Sequence, residues 1–102
     1  MAIDFQRQRF QFAPISGVAN RMEVPFFFPS TVRKAEAVIN GFEIGYTDSD
    51  HHLWRMEIDT TVQSITAGTV KVLVRFAVRD ASGNFDDRYD GFVDVLVIVD
   101  RD

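Results

Sequence analysis

A chain of 102 residues, 46 % hydrophobic and 25 % charged, has the size and composition of one ordinary globular domain. Its net charge of −4, with eleven basic against fifteen acidic side chains and no basic cluster, argues against nucleic acid as a partner. The absence of cysteine removes disulfides, thiolate metal sites and cysteine nucleophiles together, and no apolar run approaches the roughly 18 residues of a membrane helix. Met1 to Arg7 has no apolar leader segment, so the expectation is a soluble protein, cytoplasmic where made or released without a signal peptide.

Period-two alternation rich in Val, Ile, Phe and Thr recurs along the chain, and no stretch sustains apolar residues at helical spacing. Asp4 to Phe12 turns alternately polar and aromatic, which makes residues 1–20 an N-terminal strand or an arm for subunit contacts. Met22, Val24, Phe26 and Phe28 then alternate between Asn20 and Pro29. Pro25 cannot donate to a ladder, so this strand is an edge or turns the proline to its unpaired side. Ten phenylalanines are many for this length, and Phe10, Phe12, Phe26, Phe27 and Phe28 crowd the first third. The expectation is that some of them meet another subunit.

Further on, Ala35, Ala37 and Ile39 share one parity while Phe42, Ile44 and Tyr46 share the other, and a β-bulge at Gly41 would return both sets to one face. From His52 to Val62, the set His52, Trp54, Met56, Ile58, Thr60 and Val62 faces inward against Leu53, Arg55, Glu57, Asp59 and Thr61. After Ala67-Gly68, Val70, Val72, Val74, Phe76 and Val78 face inward against a mostly solvated set containing Lys71, Leu73 and Arg75. Phe92 to Val99 is apolar on nearly both faces, as a central strand or one covered by a neighbouring subunit would be. Loops are expected over residues 13–20, 47–51, 64–68 and 80–91. About six short strands with evenly spaced turn signals predict a single all-β domain, an antiparallel β-sandwich.

Two polar stretches could carry chemistry. Asp80, Ser82, Asn84 and Asp86 place oxygen ligands at alternate positions, the rhythm of a calcium loop, although Gly83 comes early for the turn and Gly91 stands where a bidentate Glu belongs. A hairpin loop rich in turn formers explains the same residues. His51 and His52 are adjacent, and on a strand they would point to opposite faces, so a shared metal ion is not expected. No nucleophile elbow, phosphate loop or dinucleotide fingerprint occurs, and the reading is non-enzymatic. Trp54 shares the parity of Met56 and Ile58 and is assigned to the core rather than to ligand stacking, which leaves Arg55 as the exposed candidate for gripping a polar ligand.

From Val38 to Val99 the chain runs through Val38-Ile39-Asn40-Gly41-Phe42-Glu43-Ile44, the polar loop into His52-Leu53, Ala67-Gly68-Thr69-Val70, and Tyr89 followed by Val93, Leu96 and Ile98. In these residues and in the order of its elements it resembles the H-type lectin domain. The resemblance implies a six-stranded antiparallel sandwich that assembles as a trimer or hexamer and binds galactose-type sugars. The family's stacking tryptophan ahead of the tyrosine is absent, with Phe85 among the residues in its place, and its last-strand tryptophan is Val95 here. The candidate ligand-binding residues are Asp50, His52, Arg55, Asp86, Asp87 and Arg88, where the 47–51 and 80–91 loops would meet at one end of the sandwich. The competing reading is an assembly module that binds other protein chains and no small ligand.

Overall fold

The computed structural model describes the backbone of residues 2–15, 20–46, 53–80 and 89–102, with side chains at all of these except 13–15, 20, 53–55 and 78–80. Six strands occupy almost all of it: β1 (Ala2–Ile15), β2 (Asn20–Phe27), β3 (Val32–Tyr46), β4 (Leu53–Thr66), β5 (Thr69–Asp80) and β6 (Tyr89–Arg101). They form two antiparallel three-stranded sheets, ordered β1-β6-β3 and β2-β5-β4. N-terminal residues 2–15 are thus a full strand paired with β6 rather than a free arm.

The two sheets share one core. Val93, Val95, Val97 and Val99 of β6 pack with Val70, Val72, Val74 and Phe76 of β5, joined by Val24, Phe26 and Phe28. Both central strands alternate as the sequence does, because each alternate side chain leaves the pleat on the same side. Met56, Ile58 and Val62 of β4 are half-buried against this cluster, in the expected parity. The crowd of phenylalanines mostly goes inward: Phe12, Phe26 and Phe28 are buried and Phe10 packs against them, leaving Phe27 as the exposed member of its run. The excess apolar surface expected at Phe26 to Phe28 is therefore reduced to one side chain, since a strand turns every second residue to the other face.

Four further features have local causes. The bulge expected at Gly41 is present, with Ile39 opposite Val95 and Gly41 opposite Asp94, so that Asn40 is the extra residue. A register shift between Leu53 and Arg55 sets Trp54 out of the β4–β5 ladder, with Leu53 opposite Asp80 and Arg55 opposite Arg79. The loop expected at 64–68 shrinks to Ala67 and Gly68, because Gln63 is bulged out and Ser64, Ile65 and Thr66 stay paired with β5. Leu73, expected on a solvated face, is buried there, as is Ala77 further along the same face. A central strand lies between two neighbours, and the long side chains Arg21, Glu23 and Gln63 of those neighbours stand around Leu73.

Side chains close the two open flanks between the sheets. Gln6 and Gln8 of β1 donate their amides to the carbonyls of Phe27 (2.5 Å) and Pro25 (2.9 Å) on β2. On the other flank the Thr60 hydroxyl donates to the Ala37 carbonyl at 3.1 Å. Pro25 does lie on an edge strand, as its missing N–H requires. The chain reversal between β2 and β3 is tied to the 67–68 turn, where the Phe28 amide donates to the Gly68 carbonyl (2.8 Å) and the Val32 amide to the Ala67 carbonyl (2.9 Å).

Candidate functional site

Register places the ends of the strands that flank three chain segments together. Tyr89 opens β6 between Ile15, where β1 ends, and Tyr46, where β3 ends, while Leu53 and Asp80 face each other on the second sheet. The described strand ends that flank residues 16–19, 47–52 and 81–88 therefore lie at one end of the sandwich. Beneath that end Phe12 stacks on Phe76 with centroids 4.4 Å apart, and Tyr89 meets both rings edge-on at 6.0 and 6.4 Å. This buried aromatic group is a packed floor under that end of the sandwich.

Of the six candidate residues, Asp50, His52, Asp86, Asp87 and Arg88 lie outside the described residues. Arg55 is described in its backbone only, at the register position opposite Arg79 near this end. The calcium reading falls on residues 80–86, of which only Asp80 lies in a described strand. Among the described residues, no cluster of three or more His, Asp or Glu side chains could hold a metal ion, and no helix is long and apolar enough to cross a membrane.

A second arrangement, on described residues throughout, occupies the outer face of the β1-β6-β3 sheet. Asp94 accepts two hydrogen bonds from Arg9, from Nε at 2.9 Å and from Nη2 at 3.1 Å. The Arg9 guanidinium also lies 3.9 Å from the centre of the Phe92 ring. The Arg9 hydrogen bond, opposed by partial burial, holds the Asp94 carboxyl below the usual aspartate range, and the same bond raises the Arg9 guanidinium. With Gln11, Glu43, Asp90 and Gly91, the Arg9 and Phe92 side chains line a shallow cleft of about 320 Å³. Arg9 and its Asp94 partner satisfy each other, so the cleft offers mainly the acceptor oxygens of Glu43 and Asp90.

Next to that pair the same face becomes apolar. Ile3 and Phe5 of β1 are 72 % and 68 % exposed, and in register with them or one row further lie Ile98, Leu96 and Val38. Two rows run across the sheet: Phe5, Ile98 and Glu36, then Arg7, Leu96 and Val38. A shallow depression of about 440 Å³ opens among Phe5, Arg7, Leu96 and Asn40. Isolated exposed apolar residues are ordinary, whereas this group is contiguous across three strands.

The two-faced character of β6 was legible in its sequence; this patch was not. Ile3 and Phe5 alternate with polar residues, and which face they take depends on pairing with β6. Comparison with known proteins finds no family model, no curated protein and no solved structure that matches this chain.

Proposed function

We propose that the protein is a non-enzymatic assembly module that binds other protein chains through the outer face of its β1-β6-β3 sheet. The observation that carries this reading is the contiguous apolar group Ile3, Phe5, Val38, Leu96 and Ile98, on a face that no other described strand covers. Water is excluded from such a surface at a gain of about 25 cal/mol per Å² of apolar area, so covering it stabilises any partner that fits. Arg9 and Asp94 beside the patch already satisfy each other, so that pair offers a partner little beyond contact.

A photoreactive residue in place of Ile98, at the centre of the face, tests this against one in place of Thr61 on the outer face of the other sheet. Specific protein adducts from position 98 and none from position 61 are expected in cells that make the protein. Absence of adducts from position 98 overturns the assembly reading.

A second reading is favoured by the convergence of the strand ends that flank residues 16–19, 47–52 and 81–88. It is the sugar-binding, lectin-like module that the resemblance implies, with Asp50, His52, Arg55, Asp86, Asp87 and Arg88 at that end and a trimer or hexamer as the active form. Loops held on a rigid sheet end are where binding groups collect. A glycan array separates the two readings: galactose-type hits lost in Arg55→Ala or Asp86→Ala, with assembly intact, support the lectin. Silence from fully assembled protein leaves the assembly module.

A further inference from the structure

We infer that the partner for the outer face of the β1-β6-β3 sheet is a second copy of this chain, packed face to face about a two-fold axis. The inference rests on the assembly reading above and adds the identity of the occupant. Its basis is the arrangement of charge around the apolar centre. The six central positions form a grid with Phe5, Ile98 and Glu36 in one row and Arg7, Leu96 and Val38 in the next. The two charged residues have opposite sign and stand at opposite corners.

That pattern is self-complementary. Strands lie about 4.8 Å apart and two residues span about 6.8 Å, so the Arg7 and Glu36 corners are equidistant from the centre of the grid. A two-fold axis in the plane of the contact, running roughly from the Phe5 corner to the Val38 corner, lays each Arg7 over the partner's Glu36 and each Glu36 over the partner's Arg7. Leu96 and Ile98 of the two copies then meet in the middle, with Phe5 and Val38 close to the axis, as an isologous interface requires. Arg7 and Glu36 are both exposed, and neither forms an ion pair among the described residues. Arg9, by contrast, is consumed by Asp94 within the chain. Charges at the rim of an apolar patch set register and partner choice more than affinity.

The apolar group spans three strands but only a few outward-facing rows, from Ile3 to Arg7 on β1. It therefore falls short of the roughly 800 Å² per partner of a standard interface. The dimer is expected to dissociate on dilution rather than to be obligate.

Sedimentation velocity of the full chain over a wide concentration range tests the inference. Wild type should pass from monomer to dimer as concentration rises. Arg7→Glu alone and Glu36→Arg alone each place like charges at both reciprocal contacts and should weaken self-association at least fivefold. An equimolar mixture of the two variants should recover near wild-type association, as a heterodimer. Position 7 of one variant and position 36 of the other then carry opposite charges again, with their signs exchanged, and the second contact keeps the native Arg7 and Glu36 pair. This complementation between molecules cannot arise from a folding defect within either chain, and circular dichroism of each variant checks that the sheets are kept. A wild type that stays monomeric throughout, or variants whose mixture fails to recover, overturns the two-fold dimer. If position 98 then still cross-links to a different protein, the assembly reading stands and only the occupant was wrong; if it cross-links to none, both fall.

Discussion

The Gln8 side-chain amide of β1 donates to the Pro25 carbonyl of β2 at 2.9 Å, joining the edges of two different sheets. Together with the Gln6 bond to the Phe27 carbonyl, it turns an open flank of the sandwich into a sealed one. Edge strands with unpaired backbone groups invite pairing with foreign strands, and a side-chain donor that occupies their carbonyls blunts this. The consequence of placing two glutamines on the inner side of β1 is that Ile3 and Phe5 stand outside.

Removing both amides should loosen that flank. Gln6→Ala with Gln8→Ala is expected to cost about 2 kcal/mol, roughly 1 kcal/mol for each neutral hydrogen bond. Urea denaturation gives the loss, and amide hydrogen exchange should show faster opening of β2 than of β6. Uniform acceleration across both sheets would contradict a local sealing role.

Phe76 lies against both Phe12 and Tyr89 at the end of the sandwich where β6 begins. Phe76→Ala should therefore destabilise by roughly 3–5 kcal/mol, the cost of a large cavity in a packed core. A double-mutant cycle with Phe12→Ala should show a coupling of about 1 kcal/mol for the stacked pair. Additive losses would mean that the two rings stabilise the fold separately.

Gly91 holds a φ of +149°, and a Cβ there would collide with the Glu43 carbonyl of the neighbouring strand. Gly91→Ala is expected to cost roughly 3 kcal/mol or more, through backbone strain plus displacement of β3. Gly45, where a Cβ would meet nothing within 4 Å, is the control: Gly45→Ala should change stability by less than about 0.5 kcal/mol. Thermal melts of the two variants make the comparison.

Acid should weaken the fold in a way traceable to Asp94. Its carboxyl is held low chiefly by the Arg9 hydrogen bond, and Asp4 is lowered likewise by Arg101 and by the Phe5 amide. A group whose folded pKa lies below its unfolded value contributes stability that is complete above the unfolded value, about 3.9 for aspartate, and is lost as pH falls through the folded value. Urea midpoints for wild type should therefore drop below about pH 4. Asp94→Asn should be less stable than wild type at neutral pH and show a smaller drop in acid. An unchanged acid profile would remove Asp94 from this account.

Strand parity was legible from the sequence wherever one alternating set was clearly more apolar than the other. Val70 to Phe76, Val93 to Val99, and Met22 to Phe28 each took the face that their alternation dictates, and the bulge at Asn40-Gly41 followed from the change of parity across it. The described ends of β3 at Tyr46, β4 at Leu53, β5 at Asp80 and β6 at Tyr89 fall where paired strands in one register must place them.

β1 was not legible. Its apolar residues sit at odd positions in the first half, Ile3 and Phe5, and at even positions in the second, Phe10 and Phe12. A strand with no bulge between them can bury only one set. The register with β6 runs unbroken from Ala2 to Phe12, and the space between the sheets is filled by Phe10 and Phe12 beside Phe76. Sequence alone determined an all-β chain with its two apolar central strands. Tertiary packing decided that Gln6 and Gln8 face the other sheet while Ile3 and Phe5 face out beside Leu96 and Ile98, because one continuous register had to choose between two competing apolar parities.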